Sequence, residues 1–464
     1  MRGILSAGGS IPYWRLQRSA IGAFHGGPGG KGTRSVASYD EDSTTLAVDA
    51  GRAALRSAPD GATPSVLWFA TTSPTYLEKS NATVAHAALQ LPGTTAAFDV
   101  GGSLRSGVGA LRAALGSSDT SLVLVADVRV GLPNSPDESA GGDAGAALLV
   151  GEGDAVIAEY LGGASATEEF LDRWRTPGDA RTRQWEEKFG EAHYVTLARQ
   201  AFADALAVAG VAADDVDEIV IATAHPRAGG VVAKQLGRPV AADLSASVGN
   251  AGAAQLELLL AAVLEQAPPG RTFALVGLAD GADVLIFRTT PAIAAWRSAR
   301  PIASQVAAGN DALPYAKLLA WRQVMSPEPP RRPEPARMSA SAAGRSTDWK
   351  YGFVGSRDRA SGAVHLPPAR VSFEGGNVDD MDAVPMADVE GTVVTATVDR
   401  LAYSPSPPVI FAVVDFDGGG RLPVELCDCT PDDAAAGTRV EMTFRRLNAA
   451  DGIANYFWKA RPVR

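Results

Sequence analysis

Leu122-Val123-Leu124-Val125-Ala126 is apolar at every position. A strand with one wet face alternates apolar and polar residues. A run that never alternates has both faces covered. Ser65-Val66-Leu67-Trp68-Phe69-Ala70 upstream has the same character, as do Glu218-Ile219-Val220-Ile221-Ala222 and Thr272-Phe273-Ala274-Leu275-Val276-Gly277 downstream. Ala- and Leu-rich helical runs lie between them, at 42–58, 105–115, 195–209 and 252–266. Alternating strands and helices of this kind predict an α/β fold with helices on both sides of the sheet. The strand–helix units recur in the two halves, which hints at a duplicated core, although no clear sequence repeat accompanies them.

The pattern stops at Met325. From there to Asp348 the chain reads MSPEPPRRPEPARMSASAAGRSTD and no hydrophobic period survives. This is the composition of a linker, stiff in its Pro-rich half and flexible in its small-residue half. The expected division is 1–325, a linker over 326–348, a segment over 349–384, and a last domain over 385–464. Short β-branched runs at 392–398, 409–414, 422–426, 439–444 and 456–459 predict about five strands in the last part, with a Gly418-Gly419-Gly420 turn. That count suits a small barrel, an OB fold above all.

Composition narrows the function. The 464 residues are 46% hydrophobic and 20% charged, enough apolar mass for a core and too much for a disordered chain. The net charge of −10 gives no hint of a nucleic-acid or anionic-membrane surface. Two cysteines exclude a disulfide scaffold and leave too few thiolates for a cysteine-built zinc site. No run approaches the ~18 apolar residues of a membrane span. The apolar start Gly3-Ile4-Leu5 is too short for a secretion signal, so a cytoplasmic protein is expected. His25-Gly26-Gly27-Pro28-Gly29-Gly30-Lys31-Gly32 lacks the spacing and the Ser/Thr of a phosphate-binding loop. Arg331-Arg332 is too short for a nucleic-acid patch.

A further set of residues carries a resemblance. Ile11-Pro12-Tyr13-Trp14-Arg15-Leu16 and Tyr39-Asp40-Glu41-Asp42-Ser43-Thr44-Thr45-Leu46-Ala47 open it. Gly141-Gly142-Asp143-Ala144-Gly145-Ala146-Ala147, Phe170-Leu171-Asp172-Arg173-Trp174-Arg175 and Ala192-His193-Tyr194-Val195 continue it, and it ends near Tyr315-Ala316-Lys317. In order and spacing these stretches resemble hydroxymethylglutaryl-CoA synthase, a thiolase-superfamily enzyme. The resemblance implies a thiolase-like duplicated α/β/α/β/α core, followed here by the small all-β OB-fold barrel.

The family's chemistry implies a cysteine that takes the acyl group, a histidine and an asparagine that hold carbonyl oxygens as charge develops, and a glutamate that moves the proton. His225, in Ala224-His225-Pro226, matches the histidine. Asn250, in Gly249-Asn250-Ala251-Gly252, matches the asparagine. The bland alternatives are a satisfied loop histidine and a turn-forming asparagine. The nucleophile is replaced: Leu104 occupies its position in Gly101-Gly102-Ser103-Leu104-Arg105-Ser106-Gly107-Val108-Gly109. Ser103 and Ser106 flank it, but a serine needs an adjacent base. Thr72 takes the place of the glutamate. Glu78 reads as a surface residue, and His193 is a distant candidate base.

The C-terminal part resembles the OB-fold proteins that accompany acyl-CoA thiolases and synthases. Those begin with a cysteine zinc ribbon. The ribbon's central Gly362-Ala363-Val364-His365-Leu366-Pro367-Pro368 segment remains, but Asp358, Ser361, Ser372 and Gly375 stand at the knuckle positions. The 349–384 segment is therefore expected to be metal-free, and Cys427 and Cys429 to be structural.

The expected function is carbon–carbon bond chemistry of the Claisen or aldol type, as an acyltransferase or lyase. The substrate is an acyl-CoA, no separate cofactor or metal takes part, and the chain works with a thiolase subunit as a homodimer or heteromer. The competing expectation is a non-catalytic subunit that scaffolds a thiolase and supplies a CoA-binding OB domain. A third is an acyl-CoA or lipid carrier.

Overall fold

A computed structural model describes residues 1–179, 181–328 and 331–464. They form two compact units. The first is Met1–Ala37, Asp42–Thr83 and Pro92–Tyr315; the second is Ser38–Glu41, Val84–Leu91 and Ala316–Arg464.

The described residues of the first unit build a nine-stranded sheet. Its strands are β1 (Arg2–Ser10), β2 (Val66–Thr71), β3 (Ala96–Gly101), β4 (Ser121–Asp127), β5 (Ala144–Glu152), β6 (Ala158–Ala166), β7 (Glu218–Thr223), β8 (Thr272–Leu278) and β9 (Ala282–Thr289). The order is β3-β2-β4-β5-β1-β6-β9-β8-β7. The duplication is visible in the directions of pairing. β2 and β4 are parallel, and β4/β5 and β5/β1 antiparallel. β7 and β8 are parallel, and β8/β9 and β9/β6 antiparallel. β3 is an extra strand, parallel to β2 at the edge. The halves meet where Gly3 pairs with Glu159 and Ile4 with Ala158.

Five helices matter for the site: α1 (Ser43–Arg56), α2 (Ser106–Gly116), α3 (Glu187–Ala209), α4 (Pro226–Leu236) and α5 (Gln255–Leu264). α1 packs on β1, β4 and β5, and α3 on β6 and β9. α5 touches β1 and β5 of one half and β7 and β8 of the other, and it also touches α2. It therefore lies between the half-sheets, which gives the α/β/α/β/α layering. Its Leu256, Leu258, Leu259, Leu260 and Leu264 are buried, and so are its two polar residues, Gln255 and Glu257. The expected strands all occur. The helix expected from 195 starts at Glu187, and that from 252 is a short 3₁₀ turn, Gly252–Ala254, followed by α5. The first two turns of α3 are mostly polar and exposed, so no apolar period marked them.

In the second unit, β10 (Val354–Asp358), β11 (Val364–His365) and β12 (Met381–Pro385) form a small sheet. β13 (Gly391–Asp399), β14 (Val409–Phe416), β15 (Arg421–Leu426), β16 (Arg439–Ala450) and β17 (Ile453–Pro462) close a barrel in the order β13-β14-β15-β17-β16. Val393, Val414, Val424, Phe444 and Trp458 fill it. The stretch expected to be linker is not structureless: Ala340–Arg345 and Thr347–Lys350 are helical. Its Pro329 and Pro330 lie outside the described residues.

Two polar clusters hold this unit. At the knuckle positions the Asp358 carboxylate accepts from Ser361 Oγ at 2.6 Å and from Asn377 Nδ2 at 3.2 Å. Hydrogen bonds from Ser361 first, then from the Ala360 backbone and the Ser372 and Asn377 side chains, hold it well below the usual carboxylate range. Among the described residues no group of three or more His, Cys, Asp or Glu side chains could hold a metal. The second cluster is buried apart from Glu425, which is partly exposed. Arg445 pairs with Glu41 at 2.8 Å and Asp428 at 2.5 Å, and Lys459 with Asp40 at 2.8 Å and Glu425 at 2.7 Å. Burial raises Asp40, but Lys459 and Arg445 outweigh it and hold the carboxyl at about 2. Burial dominates at Glu41 and, with Asp428 and Asp40 against Arg445, pushes it up to about 7.

No helix among the described residues is long and apolar enough to cross a membrane.

Candidate active site

A cavity of about 620 Å³ opens in the first unit. Its wall is built from residues that follow the carboxyl ends of parallel strands, the usual ligand position in α/β sheets. Thr72 and Ser73 follow β2, Gly102, Ser103 and Leu104 follow β3, Arg129 follows β4, Ala224 and His225 follow β7, and Ala279 and Asp280 follow β8. Asp172, Arg173, Trp174, Arg175 and Tyr194 complete it.

Thr72, Ser103 and Leu104 all line this cavity. Leu104 sits in the turn that opens α2 and presents an alkyl group at the cavity wall. Ser103 Oγ accepts from the Arg105 amide at 3.1 Å, and Ser106 Oγ from the Ser103 amide at 3.3 Å. Both hydroxyls thus brace the turn. Thr72 is held by Asp127, which is fully buried: its carboxylate takes the Thr72 amide at 2.6 Å and hydroxyl at 2.8 Å, the Thr71 hydroxyl at 3.0 Å and the Ala253 amide at 2.8 Å. Arg129 Nη1 lies 3.7 Å from it. Burial lowers the Arg129 pKa, Asp127 opposes this, and Arg173 and Arg175 add to it.

The two expected oxyanion donors are engaged elsewhere. His225 is 1% exposed. Its Nδ1 accepts from the Ala228 amide at 3.1 Å, capping α4, and its Nε2 lies 2.9 Å from the Glu187 carbonyl. An imidazole accepting at Nδ1 holds its proton on Nε2, and that proton goes to Glu187. The ring lines the cavity without a free donor. Asn250 does not line it. Its Nδ2 donates to the Thr223 carbonyl at 2.7 Å and its Oδ1 accepts from the Gly252 amide at 3.0 Å. His225 caps a helix here and Asn250 braces a turn. His193 stacks on Phe170 and meets Glu168 at 3.0 Å, away from the cavity wall, and Glu78 is exposed.

Sequence reasoning missed Asp127, Arg129, Asp172, Tyr194 and Asp280. Asp127 and Asp280 had a signal: each is an acid just past the end of a continuous apolar strand. Asp172 and Tyr194 lay in quoted motifs without being singled out.

Comparisons with known proteins agree with this architecture. The family model of the ChsH2 C-terminal OB-fold domain matches residues 383–445. The hydroxymethylglutaryl-CoA synthase of Pyrococcus horikoshii is 28% identical over 295 residues, covering 60% of this chain and 83% of that protein. A DUF35 domain-containing scaffold protein of Methanocaldococcus jannaschii is 25% identical over 119 residues, covering 25% of this chain and 84% of that protein. Among solved structures, PksG, an HMG-CoA synthase from Bacillus subtilis, superposes with a TM-score of 0.60 at 16% identity, over 70% of this chain and 89% of that one, which shows a shared fold. The chain is thus similar to the hydroxymethylglutaryl-CoA synthases, with a thiolase-like fold, over its N-terminal part, and carries at its C-terminus an OB-fold domain of the ChsH2 type.

Proposed function

We propose that the chain handles acyl-CoA and makes or breaks a carbon–carbon bond beside the thioester without forming a covalent acyl-enzyme, working with a thiolase subunit. The observation that carries this reading is a large cavity at the opening of α2, lined by Leu104, the residue that the resemblance aligns with the family's nucleophile. Aldol and retro-aldol chemistry at a thioester needs an enolate and a proton-transfer group, not a thiol. The positive end of a helix is a fitting place for the enolate oxygen, and α2 opens there. Arg129, Arg173 and Arg175 give the wall a cationic side suited to an anionic CoA ester. The ChsH2-type OB domain favours a thiolase partner.

The competing reading, a non-catalytic scaffold for a thiolase, draws on one observation: His225 and Asn250 both spend their polar atoms on the backbone. The test incubates the chain, alone and with candidate thiolases, with acetyl-CoA, acetoacetyl-CoA and a 3-hydroxyacyl-CoA panel, following CoA species by mass spectrometry. The expected outcome is a change of acyl chain length with no acyl adduct on this chain. If all turnover belongs to a cysteine-bearing partner and is unchanged when Leu104→Trp fills the cavity, the scaffold reading holds instead.

A further inference from the structure

Across from the nucleophile turn, the loop after β8 carries Asp280, exposed at the cavity wall. Its backbone is left-handed, with φ at 47°, a conformation that costs a non-glycine residue and is retained where the surroundings impose it. Here the surroundings are Arg105, the residue after Leu104. Its Nη1 donates to the Asp280 carbonyl at 2.8 Å and its Nε to Asp283 at 2.7 Å. The next residue, Gly281, lets the guanidinium pass: a Cβ there would lie 2.7 Å from Arg105 Nη1. The turn holding Leu104 and the loop holding Asp280 are therefore clamped to each other by one side chain.

A buried pair stands behind the loop. Tyr194 Oη donates to Asp172 Oδ2 at 3.2 Å and accepts from the Asp280 amide at 3.4 Å. Asp172 is 1% exposed, lines the same cavity, and its Oδ1 is buried without a hydrogen-bond partner. An unpaired buried carboxylate oxygen is costly, and a substrate hydroxyl or a water in the cavity would satisfy it.

We propose that Asp280 is the proton-transferring carboxylate of this cavity, with Tyr194 and Asp172 as positioning residues behind it. The proposal rests on the acyl-CoA reading above and supplies the group that Thr72 cannot. With a 3-hydroxyacyl-CoA, the Asp280 carboxylate takes the 3-hydroxyl proton as the C2–C3 bond breaks. The C3 oxygen becomes the carbonyl of a leaving aldehyde or ketone, and the bonding pair enters the C1–C2 enolate. Protonated Asp280 then returns the proton to C2, which releases the shortened acyl-CoA and regenerates the carboxylate. No oxidant or reductant is consumed, and condensation is the reverse sequence. The charged and titratable groups facing Asp280 are Arg105, Asp172, Glu169 and Tyr194. Burial first, then Asp172 and Glu169, raise its pKa against Arg105, toward the range useful for a general base.

The test uses the full chain with its partner. Asp280→Asn keeps size and tolerates the left-handed backbone, so the variant folds. Its kcat is expected to fall at least ~100-fold, the scale of general acid–base catalysis. Acyl-CoA binding, read by calorimetry, stays within about threefold, since the substitution leaves uniform binding intact. The acid limb of the pH–rate profile disappears in Asp280→Asn and returns in Asp280→Glu. Tyr194→Phe shifts that limb and lowers kcat without changing KM. Unchanged kcat and limb in Asp280→Asn overturn the proposal alone. Acyl-CoA binding without turnover by the wild type overturns it and leaves a carrier or scaffold. No acyl-CoA binding at all overturns the functional reading with it.

Discussion

His225 shows how a residue can be placed from sequence while its partners cannot. Its position after β7 was legible, because the Ala224-His225-Pro226 context follows a buried strand. Its task was not, because the partners, the Ala228 amide and the Glu187 carbonyl, are fixed by the packing of α3 and α4. His225→Ala should therefore act on stability. Losing the cap of α4 costs about 1 kcal/mol. Losing the hydrogen bond to the Glu187 carbonyl costs about 1 kcal/mol more. Urea denaturation should show a total loss of about 2 kcal/mol, and a loss of turnover without a loss of stability would contradict this. Leu104 is the opposite case. The family resemblance alone aligned it with the nucleophile, and it lines the cavity. Asp280 carried a signal of place, following an apolar strand, but its clamp was not legible: nothing in a lone Asp-Gly pair tells that Arg105, 175 residues away, will reach it.

At the scale of elements, the strands were the most legible. β2, β4, β7 and β8 are buried on both faces, and burial leaves its mark in composition. The five barrel strands were legible from β-branched runs and turns. Helix starts were less so, since α3 begins with polar turns. The segment over 349–384 is the instructive element. It is expected to be a metal-free relic of the ribbon, and three of its four knuckle positions, Asp358, Ser361 and Ser372, meet at the Asp358 carboxylate. Asp358→Ala should loosen β10, β11 and β12 and lower the thermal midpoint of this unit by several degrees, because three or four hydrogen bonds vanish at one buried point. A chelator added to the wild type should leave that midpoint unchanged. Both are read in one calorimetric scan, and a chelator-sensitive midpoint would mean that another ligand set holds the segment.

For the whole molecule, the buried ion cluster couples stability to pH. Glu41 has its pKa raised from 4.5 to about 7, so the folded state binds its proton more tightly than the unfolded one. That contribution is fully present below pH ~4.5 and is lost as pH rises through ~7. The shift corresponds to about 3 kcal/mol. Asp40 works the other way and matters only as pH falls through its range toward about 2. Glu41→Gln removes the neutral-range slope: comparing denaturation at pH 5 and pH 8, the wild type should lose about 3 kcal/mol relative to the variant. A constant difference at both values would show that Glu41 stays ionised beside Arg445. The α/β/α/β/α organisation and the barrel were both legible at this scale, but the cluster was not, since Tyr39-Asp40-Glu41 and β16 are about 400 residues apart.

The doubled sheet has one narrow place. Its halves meet edge to edge through only two residue pairs, with Gly3 so close to Ala158 that a Cβ would come within 2.0 Å of the carbonyl. Beyond those pairs the halves are joined by backbone hydrogen bonds such as the Asn250 amide to the Ala140 carbonyl, by the Arg105 clamp, and by side-chain packing around α5. Ladder hydrogen bonds run on through each half but barely cross that line, so each half is a natural unit of local opening. The cavity takes Leu104 and Thr72 from one half and Asp280 and Tyr194 from the other, and Arg105 is a rivet across them. The cavity thus lies where the two similar half-sheets differ, and either half alone would supply only part of its wall.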